Sequence, residues 1–354
     1  MDLNERIRDA MHRIEEMYYE TEGKCFLSFS GGKDSTVILA IIKMCEEIYT
    51  IPKNSIPAVF CDTGIELGAT RDFVRWCRDN WYGNIQIIRP EKSFSWILEN
   101  KGKPIKSKMK SEMLGRYKRK KETNQIAFDY LIGNSRDGKT YAKTKIADKD
   151  LHLLHDNFDI KVSNKCCEFL KKKPFEKYQK ENGIKGSIQG IRTGEGGARE
   201  LSAIKRVQNG GKLCTATKGE YIIKMPIIDW TNDDIEAFIK EYNVPLSKAY
   251  TEYGQTRTGC MGCPFALWIV QDLEVLWKYE PNRYKASMHW LKDVYIAQNV
   301  VLPFDEQYEK ERKEKWDKDY APMREEMLLK YRPKSRLCKG FVQMSLDMGD
   351  ENGR

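Results

Sequence analysis

A short apolar segment that leads directly into a glycine turn and then a long apolar helix constrains this chain more than any other feature. Residues 24–30 (KCFLSFS) read as a buried strand, residues 30–36 (SGGKDST) carry the glycines of a turn, and residues 36–48 have helical periodicity. The same order recurs, with strands predicted at 56–62, 85–90, 186–192 and 221–228 and helices at 4–19, 67–80 and 93–100. Apolar strands that alternate with helices predict an α/β fold, an open and mostly parallel five-stranded sheet flanked by helices.

Changes in composition divide the chain into three predicted parts. Residues 1–245 hold all the predicted strands and form an α/β domain. Within it, residues 105–160 are basic, polar and weakly periodic, which predicts an insertion. Residues 246–335 form a mainly helical region that carries a Cys-x-x-Cys pair, and residues 336–354 form a tail that we expect to be disordered.

Composition narrows the class of protein. The 354 residues are 40% apolar and 32% charged, with a formal net charge of +9, so the chain can bury a core and is neither disordered nor collagen-like. No apolar run approaches the ~18 residues of a membrane span, and the start MDLNERIRDA lacks the features of a signal peptide. We therefore expect a cytoplasmic protein without a membrane partner, in which the 10 cysteines serve as thiols or metal ligands rather than disulfides.

The glycine turn has the chemistry of a phosphate-binding site. Glycines allow the backbone to approach an anion closely, and the free amides at the start of a helix attract phosphate. Lys33 adds a positive charge, while Asp34 suits either a Mg²⁺ contact or a helix cap. The residues predicted to bind are Ser30, Gly31, Gly32, Lys33, Asp34, Ser35 and Thr36.

This turn resembles the PP-loop of the ATP pyrophosphatase superfamily (adenine nucleotide alpha hydrolase-like), whose members split ATP between the α and β phosphates. The segment Asp62-Thr63-Gly64, followed by Thr70 and Phe73-Val74, is similar to one in the adenylyl-sulfate and phosphoadenylyl-sulfate (PAPS) reductase family of that superfamily. The resemblance implies an adenine nucleotide as ligand, with Asp62, Thr63 and Gly64 near it. The other interpretation of Asp62 is a turn aspartate that caps the next helix.

A third segment also resembles this family. Gly190-Ile191-Arg192, with Arg199 further on, is similar to the family's segment whose arginines approach a phosphate or sulfate. The resemblance implies nucleotide binding by Arg192 and Arg199 and catalytic roles for Lys33, Asp34 and Arg192. Surface ion pairs with Glu195 or Glu200 are the alternative.

Four cysteines form two pairs, Cys166-Cys167 and Cys260-x-x-Cys263. A Cys-x-x-Cys turn can present two thiolates to one metal. Together the pairs resemble the set that holds a [4Fe-4S] cluster in the iron–sulfur members of the reductase family. A Cys₄ zinc site is the alternative.

Two departures from the reductases direct the functional prediction. The chain lacks their Glu-Cys-Gly-Leu-His segment, and its last cysteine, Cys338, lies in a different context, RLCKG. Its glycine turn is intact, which favours ATP over adenylyl sulfate (APS) or PAPS. We therefore predict an enzyme that cleaves ATP with Mg²⁺ between the α and β phosphates and adenylates an acceptor, with sulfur transfer as one use.

The sequence is also compatible with two other functions and with several partners. The chain could be an APS or PAPS reductase, or a non-catalytic subunit that senses a nucleotide or a cluster. The basic residues 106–121 suggest tRNA or DNA as a partner, with a solvated basic face as the alternative. A sulfur-donor protein is a further candidate partner, and an oligomer is compatible with the sequence.

Overall fold

A six-stranded sheet forms the centre of the α/β part of the protein. The computed structural model describes residues 2–119, 124–134, 145–195 and 197–331. The strands are Cys25–Ser28 (β1), Ala58–Cys61 (β2), Ile85–Ile88 (β3), Gly186–Ile188 (β4), Thr215–Lys218 (β5) and Tyr221–Lys224 (β6). Their order is β3-β2-β1-β4-β6-β5, and all neighbours are parallel except β5 and β6.

The predicted α/β class and the five predicted strands are confirmed, and one strand is added. The extra strand, β5, has the sequence TATK and is half exposed. Because it contains no apolar run, the sequence pattern did not predict it. It pairs with β6 as an antiparallel edge strand, Thr215 opposite Lys224.

Fourteen α-helices accompany the sheet in the described residues. They are Leu3–Glu20 (α1), Lys33–Glu47 (α2), Gly68–Asn80 (α3), Phe94–Lys101 (α4), Lys108–Arg119 (α5), Gln125–Ile132 (α6), Lys173–Glu181 (α7), Gly197–Gln208 (α8), Asn232–Glu241 (α9), Lys248–Thr251 (α10), Ile269–Tyr279 (α11), Pro281–Ala297 (α12), Glu306–Lys315 (α13) and Ala321–Tyr331 (α14). Shorter turns of 3₁₀ or π geometry lie at Asp148–Leu154, Glu168–Lys172, Thr193–Glu195 and Trp316–Tyr320. No helix among the described residues is long and apolar enough to cross a membrane.

The apolar residues of α2 fix this helix against the sheet. Its buried side chains, among them Val37, Ile38 and Ile41, join those of α1, α3 and α9 in one core with Leu27 and Phe29 of the β1 segment. On the other face of the sheet, Phe26 stacks on Phe175 of the α7 segment, with ring centroids 5.7 Å apart. Both faces of β1 are therefore covered, as its continuous apolar sequence requires.

The chain forms two compact units, each from two separate segments. Residues 1–94 and 168–260 make the first unit, which contains the sheet, and residues 95–167 and 261–354 make the second. The described part of the predicted insertion folds within the second unit, where Leu114, Leu131 and Leu154 are fully buried. The predicted domain boundary at residue 245 stays a prediction, and the predicted tail, 336–354, lies outside the described residues.

Candidate functional site

The sheet topology of the first unit opens a crevice beside β1. β1 lies between β2 and β4, so the chain leaves it in one direction toward β2 and β3 and later returns on the other side as β4. In open α/β sheets, ligands bind at the carboxyl ends of the strands where the strand order reverses. The glycine turn follows β1 and Gly190 to Arg192 follow β4, so two predicted segments meet at this point.

Backbone constraints explain both glycines that shape the crevice. Gly31 has a φ of +67°, in the left-handed region, and a Cβ there would lie 2.9 Å from Val74 Cγ2. At Gly190 a Cβ would lie 3.1 Å from the amide nitrogen of Ser35. A side chain at Gly190 would therefore separate the end of β4 from the start of α2.

The hydroxyl groups of the turn hold the start of α2 in place. Gly32 is the N-cap, and the side chains of Ser35 and Thr36 donate to its carbonyl at 2.9 and 3.0 Å. Ser30 Oγ accepts from the Gly32 amide at 3.2 Å and lies 3.0 Å from Ser35 Oγ. Asp34 lies in the first helical turn and is not the cap, so the predicted capping alternative for Asp34 is wrong.

Tyr250 is a residue of the site that sequence reasoning missed. Its hydroxyl accepts from the Lys33 amide at 3.1 Å, and burial raises the pKa of Tyr250, so the group stays a hydroxyl at neutral pH. Thr258 contacts the Tyr250 hydroxyl and approaches Gly32 closely. The segment from 250 to 258 therefore lies against the glycine turn, although no phosphate-binding pattern marks it.

Arg192 and Asp34 form an ion pair at the crevice. Arg192 is 3% exposed, and its Nε donates to Asp34 Oδ1 at 3.1 Å. Its Nη1 and Nη2 donate to the Trp230 carbonyl and to Asn232 Oδ1, at 3.3 and 2.9 Å. Asp34 is therefore a partner of Arg192 that the sequence did not predict, while the side chains of Glu195 and Glu200, the predicted alternative partners, lie outside the described part of the chain.

The segment after β2 is also at the crevice, but its aspartate is occupied. Asp62 is buried, pairs with Arg71 at 3.0 Å and accepts from the Gly64 amide at 3.2 Å. Thr63 donates to Glu66 through its amide and its hydroxyl. Asp62 is a turn aspartate with an ion pair; it does not cap α3, whose N-cap is Leu67.

A cavity of about 140 Å³ lies at the carboxyl ends of β1 and β2. Phe60 and Phe175 give it aromatic walls, and Glu66, Thr70 and Lys171 give it polar groups. Thr70 is 1% exposed and its Oγ1 has no hydrogen-bond partner among the described residues. An unsatisfied buried hydroxyl in a cavity marks a place where a ligand can bind.

Cys61 also lines this cavity, yet its surroundings do not activate it. Its thiol donates to the Leu170 carbonyl at 3.1 Å. Burial and, next, the charge of Glu66 raise the pKa of Cys61 to about 12. Because the thiolate is the nucleophilic form, Cys61 is inert at neutral pH.

The four predicted metal ligands are divided between the two units. Cys260 belongs to the first unit, where it forms a β-bridge with Glu66, and Cys166, Cys167 and Cys263 belong to the second. The turn between Cys260 and Cys263 is tight, with Gly262 at a φ of +57°. Among the described residues, no group of three or more Cys, His, Asp or Glu side chains is arranged to hold a metal ion. No disulfide links the described cysteines.

The basic segment 106–121 uses several of its charges within the chain. Lys106 pairs with Asp150 at 2.7 Å, and Lys118 donates to two carbonyls at 2.9 and 3.0 Å. Arg116 pairs with Glu112 on the same helix. Residues 120 and 121, the side chain of Arg199, and Cys338 lie outside the described part of the chain.

The fold and the site define an α/β protein with a glycine turn at the switch point of its sheet. The family model described as "Phosphoadenosine phosphosulfate reductase domain" matches residues 24–150 and 129–266, which together span more than half of the chain. The chain belongs to this family. No curated protein matches its sequence.

The solved structures that match this chain are distant from it in sequence. The PAPS reductase from Candida auris, solved with phosphate, is 15% identical, with 67% of this chain and 81% of that chain covered and a TM-score of 0.37. The FMN adenylyltransferase from Candida glabrata is 14% identical, with 74% of this chain and 64% of that chain covered and a TM-score of 0.40. The same enzyme with FAD and pyrophosphate is 13% identical, with 73% and 65% covered and a TM-score of 0.38.

Proposed function

We propose that this protein binds ATP at the glycine turn and cleaves it between the α and β phosphates, adenylating an acceptor. The observation that carries the proposal is the turn itself, with Lys33 and Asp34 in the first turn of α2 at the switch point of the sheet. The first amides of a helix have no partners within the helix and favour anions. The reacting phosphates would lie over these amides.

The proposed reaction is an in-line displacement at the α-phosphorus. An oxygen of the acceptor bonds to the α-phosphorus while the bond to the bridging α–β oxygen breaks, and pyrophosphate leaves with that electron pair. Charge builds on the leaving pyrophosphate. Lys33 and the amides at the start of α2 would stabilise it.

Asp34 has a side chain that could bind Mg²⁺. Carboxylate oxygens are hard ligands that suit this ion, which binds proteins through one or two carboxylates together with substrate phosphates. Asp34 Oδ1 is held by Arg192, while Oδ2 makes no hydrogen bond in the described part of the chain. When bound, Mg²⁺ neutralises charge on the phosphates.

Product analysis tests the proposal. The protein is incubated with Mg²⁺, ATP and candidate acceptors, and the phosphorus products are identified by NMR. We expect pyrophosphate rather than ADP, with the rate lowered at least about 100-fold in Lys33→Ala and Asp34→Ala. Lys43→Ala is the matched control, because Lys43 lies on the same helix but contacts Trp81. Pyrophosphate release at an unchanged rate in Lys33→Ala and Asp34→Ala would contradict the proposal that the glycine turn cleaves ATP.

A reductase that acts on APS or PAPS is the second candidate, and the family match favours it. It predicts sulfite release that depends on thioredoxin and is lost in Cys338→Ser. The intact glycine turn supports ATP instead, because a sulfonucleotide has no pyrophosphate to place there. A nucleotide-sensing subunit would bind ATP without turning it over with any acceptor.

We also propose Cys166, Cys167, Cys260 and Cys263 as ligands of a [4Fe-4S] cluster, with zinc as the alternative. The family resemblance and the thiol donors support this assignment, whereas the described residues present no formed metal-holding group. No step of the proposed reaction uses the cluster. Protein purified without oxygen should be brown and contain iron and acid-labile sulfide; colourless protein with stoichiometric zinc would contradict the cluster.

We extend the proposal to a nucleic acid as the acceptor and to a protein that donates sulfur. Transfer of sulfur to a nucleic acid would use exposed basic residues of the segment 106–121, among them Lys108 and Arg119. Salt-dependent binding of tRNA or duplex DNA would support this role. A sulfur-donor protein would supply the sulfur in that case.

A further inference from the structure

Arg192 is arranged to hold another residue rather than a nucleotide. It is 3% exposed, and its Nε, Nη1 and Nη2 each donate to an acceptor of the protein. An arginine that binds phosphate directs its planar fork of N–H groups toward the ligand. Here three of the five N–H groups are used inside the first unit.

The acceptors of Arg192 anchor the guanidinium to a fixed part of the fold. Trp230 is 2% exposed, and Asn232 is the first residue of α9. The start of α9 is stabilised by a capping box, in which Thr231 and Asp234 satisfy each other's amides. The guanidinium is therefore held on one side by rigid structure and faces Asp34 on the other.

Asp34 gains a fixed orientation from this contact. Its side chain is 16% exposed, and among the described residues its hydrogen bond is made by Oδ1, at 3.1 Å from Arg192 Nε. A carboxylate with one oxygen bound to an arginine keeps the second oxygen at a defined position. That second oxygen, Oδ2, is the atom that the proposed function assigns to Mg²⁺.

We propose that Arg192 is a positioning residue: it orients Asp34 toward the metal of Mg²⁺–ATP and does not itself contact the nucleotide. This inference rests on the proposed function. It also gives a role to the start of α9, since Trp230 and Asn232 hold the arginine. The contact was not predicted, because Asp34 and Arg192 are 158 positions apart in the sequence.

Binding of ATP with and without metal separates positioning from direct contact. Calorimetry measures Mg²⁺–ATP, and separately ATP in the presence of EDTA, with the unaltered protein and with Arg192→Met, Arg192→Lys and Asn232→Ala. Residues that orient a metal ligand change metal affinity by about 10–100-fold when they are replaced. In Arg192→Met we expect weaker Mg²⁺–ATP binding by a factor in this range and metal-free ATP binding within about twofold of the original.

Conservative and milder variants keep the test interpretable if Arg192→Met is unstable. Arg192→Lys keeps the positive charge next to Asp34 and should recover part of the Mg²⁺–ATP affinity. Asn232→Ala removes one anchor of the guanidinium and should weaken Mg²⁺–ATP binding in the same direction, by less. In turnover assays the Mg²⁺ concentration for half-maximal rate should rise in each variant, with the KM for ATP at saturating Mg²⁺ nearly unchanged.

Arg13 provides the matched control. It is a half-buried arginine that donates to the Pro226 carbonyl at 2.8 Å and pairs with Asp229, so it holds the segment just before Trp230 without reaching Asp34. Arg13→Met should leave the preference for Mg²⁺–ATP unchanged. If it lowers that preference as Arg192→Met does, the effect is general loss of structure and the positioning role is wrong.

Two further results would overturn the inference. Equal weakening of metal-free ATP and Mg²⁺–ATP in Arg192→Met would mean that Arg192 contacts the nucleotide directly. Unchanged binding of both forms in a folded Arg192→Met would mean that the ion pair is dispensable; in both cases the proposed function would stand. If the unaltered protein binds neither form, the proposed function falls and the inference falls with it.

Discussion

At the scale of single residues, burial determines the protonation state of His152. His152 is fully buried in the second unit, where its Nε2 donates to the Ala297 carbonyl at 2.7 Å. The rings of Trp316 and Tyr320 lie 5.0 and 5.3 Å from it, centroid to centroid. Burial lowers the pKa of His152 to about 4, so it is neutral in the folded protein at neutral pH.

This shift predicts that the second unit loses stability in acid. An unfolded histidine has a pKa of about 6.5, so the unfolded chain binds the extra proton first as the pH falls. The free energy of unfolding should decrease from about pH 6.5 to pH 4, by an amount on the order of 3 kcal/mol when the loss is complete. Hydrogen exchange of residues 148–154 at pH 7 and pH 5 measures it.

His152→Gln is the control variant for the acid effect, because the glutamine amide can still donate to Ala297 but does not titrate in this range. Between pH 7 and pH 5 its protection from exchange, corrected for the intrinsic rate, should fall less than in the unaltered protein. An equal fall in both proteins would show that other groups cause the acid sensitivity.

Residue identity predicted where the glycine turn lies in the fold, but it did not predict which residues the turn contacts. The turn from Ser30 to Thr36 was located from its glycines and from the strand before it. The partner of Asp34 was not, because ion pairs between distant segments leave no local pattern. The unreactive state of Cys61 also depends on neighbours, Leu170 and Glu66, that only the fold brings together.

At the level of elements, the segment from α10 to Thr258 lies against the glycine turn. Tyr250 occupies the Lys33 amide, one of the amides that the proposed reaction assigns to phosphate. A phosphate oxygen and the tyrosine hydroxyl cannot both accept the same hydrogen in full. Nucleotide binding should therefore displace the Tyr250 hydroxyl.

Tyr250→Phe keeps the ring but removes this competitor. We expect the dissociation constant for Mg²⁺–ATP to fall by about 2–5-fold, which corresponds to about 0.5–1 kcal/mol, the value of an ordinary hydrogen bond. Calorimetry measures it, with Tyr253→Phe, a neighbour on the same segment, as the control. Weaker binding in Tyr250→Phe would mean that the hydroxyl contacts the nucleotide instead of competing with it.

Elements with strong apolar patterns could be predicted from the sequence, and those without could not. β1 and α2 were found because both contain continuous apolar runs, and α1 because its buried residues recur every three or four positions. β5 was missed because its residues are polar or half exposed and its place depends on pairing with β6. Tyr250 was missed for a similar reason, since it contacts Lys33 across 217 positions of sequence.

For the whole molecule, the division into two units could not be predicted from composition. Each unit combines two segments that are far apart in the sequence, and the second segment of the first unit ends at Cys260. Composition changes mark stretches of chain, but they do not show which stretches pack together. The basic residues near 106–121 illustrate this, since Lys106 and Lys118 serve contacts within the second unit.

The central claim, that the glycine turn of the first unit binds the phosphates of ATP, is tested most directly by competition for a fluorescent ATP analogue. Unlabelled Mg²⁺–ATP, pyrophosphate, AMP and adenosine 3′,5′-bisphosphate are the competitors. We predict that ATP displaces the analogue and that pyrophosphate, without a nucleoside, also displaces it. The bisphosphate should displace it much more weakly, and pyrophosphate should no longer compete in Lys33→Ala. Tighter binding of the bisphosphate than of ATP, with no competition by millimolar pyrophosphate, would contradict the claim and favour a sulfonucleotide site.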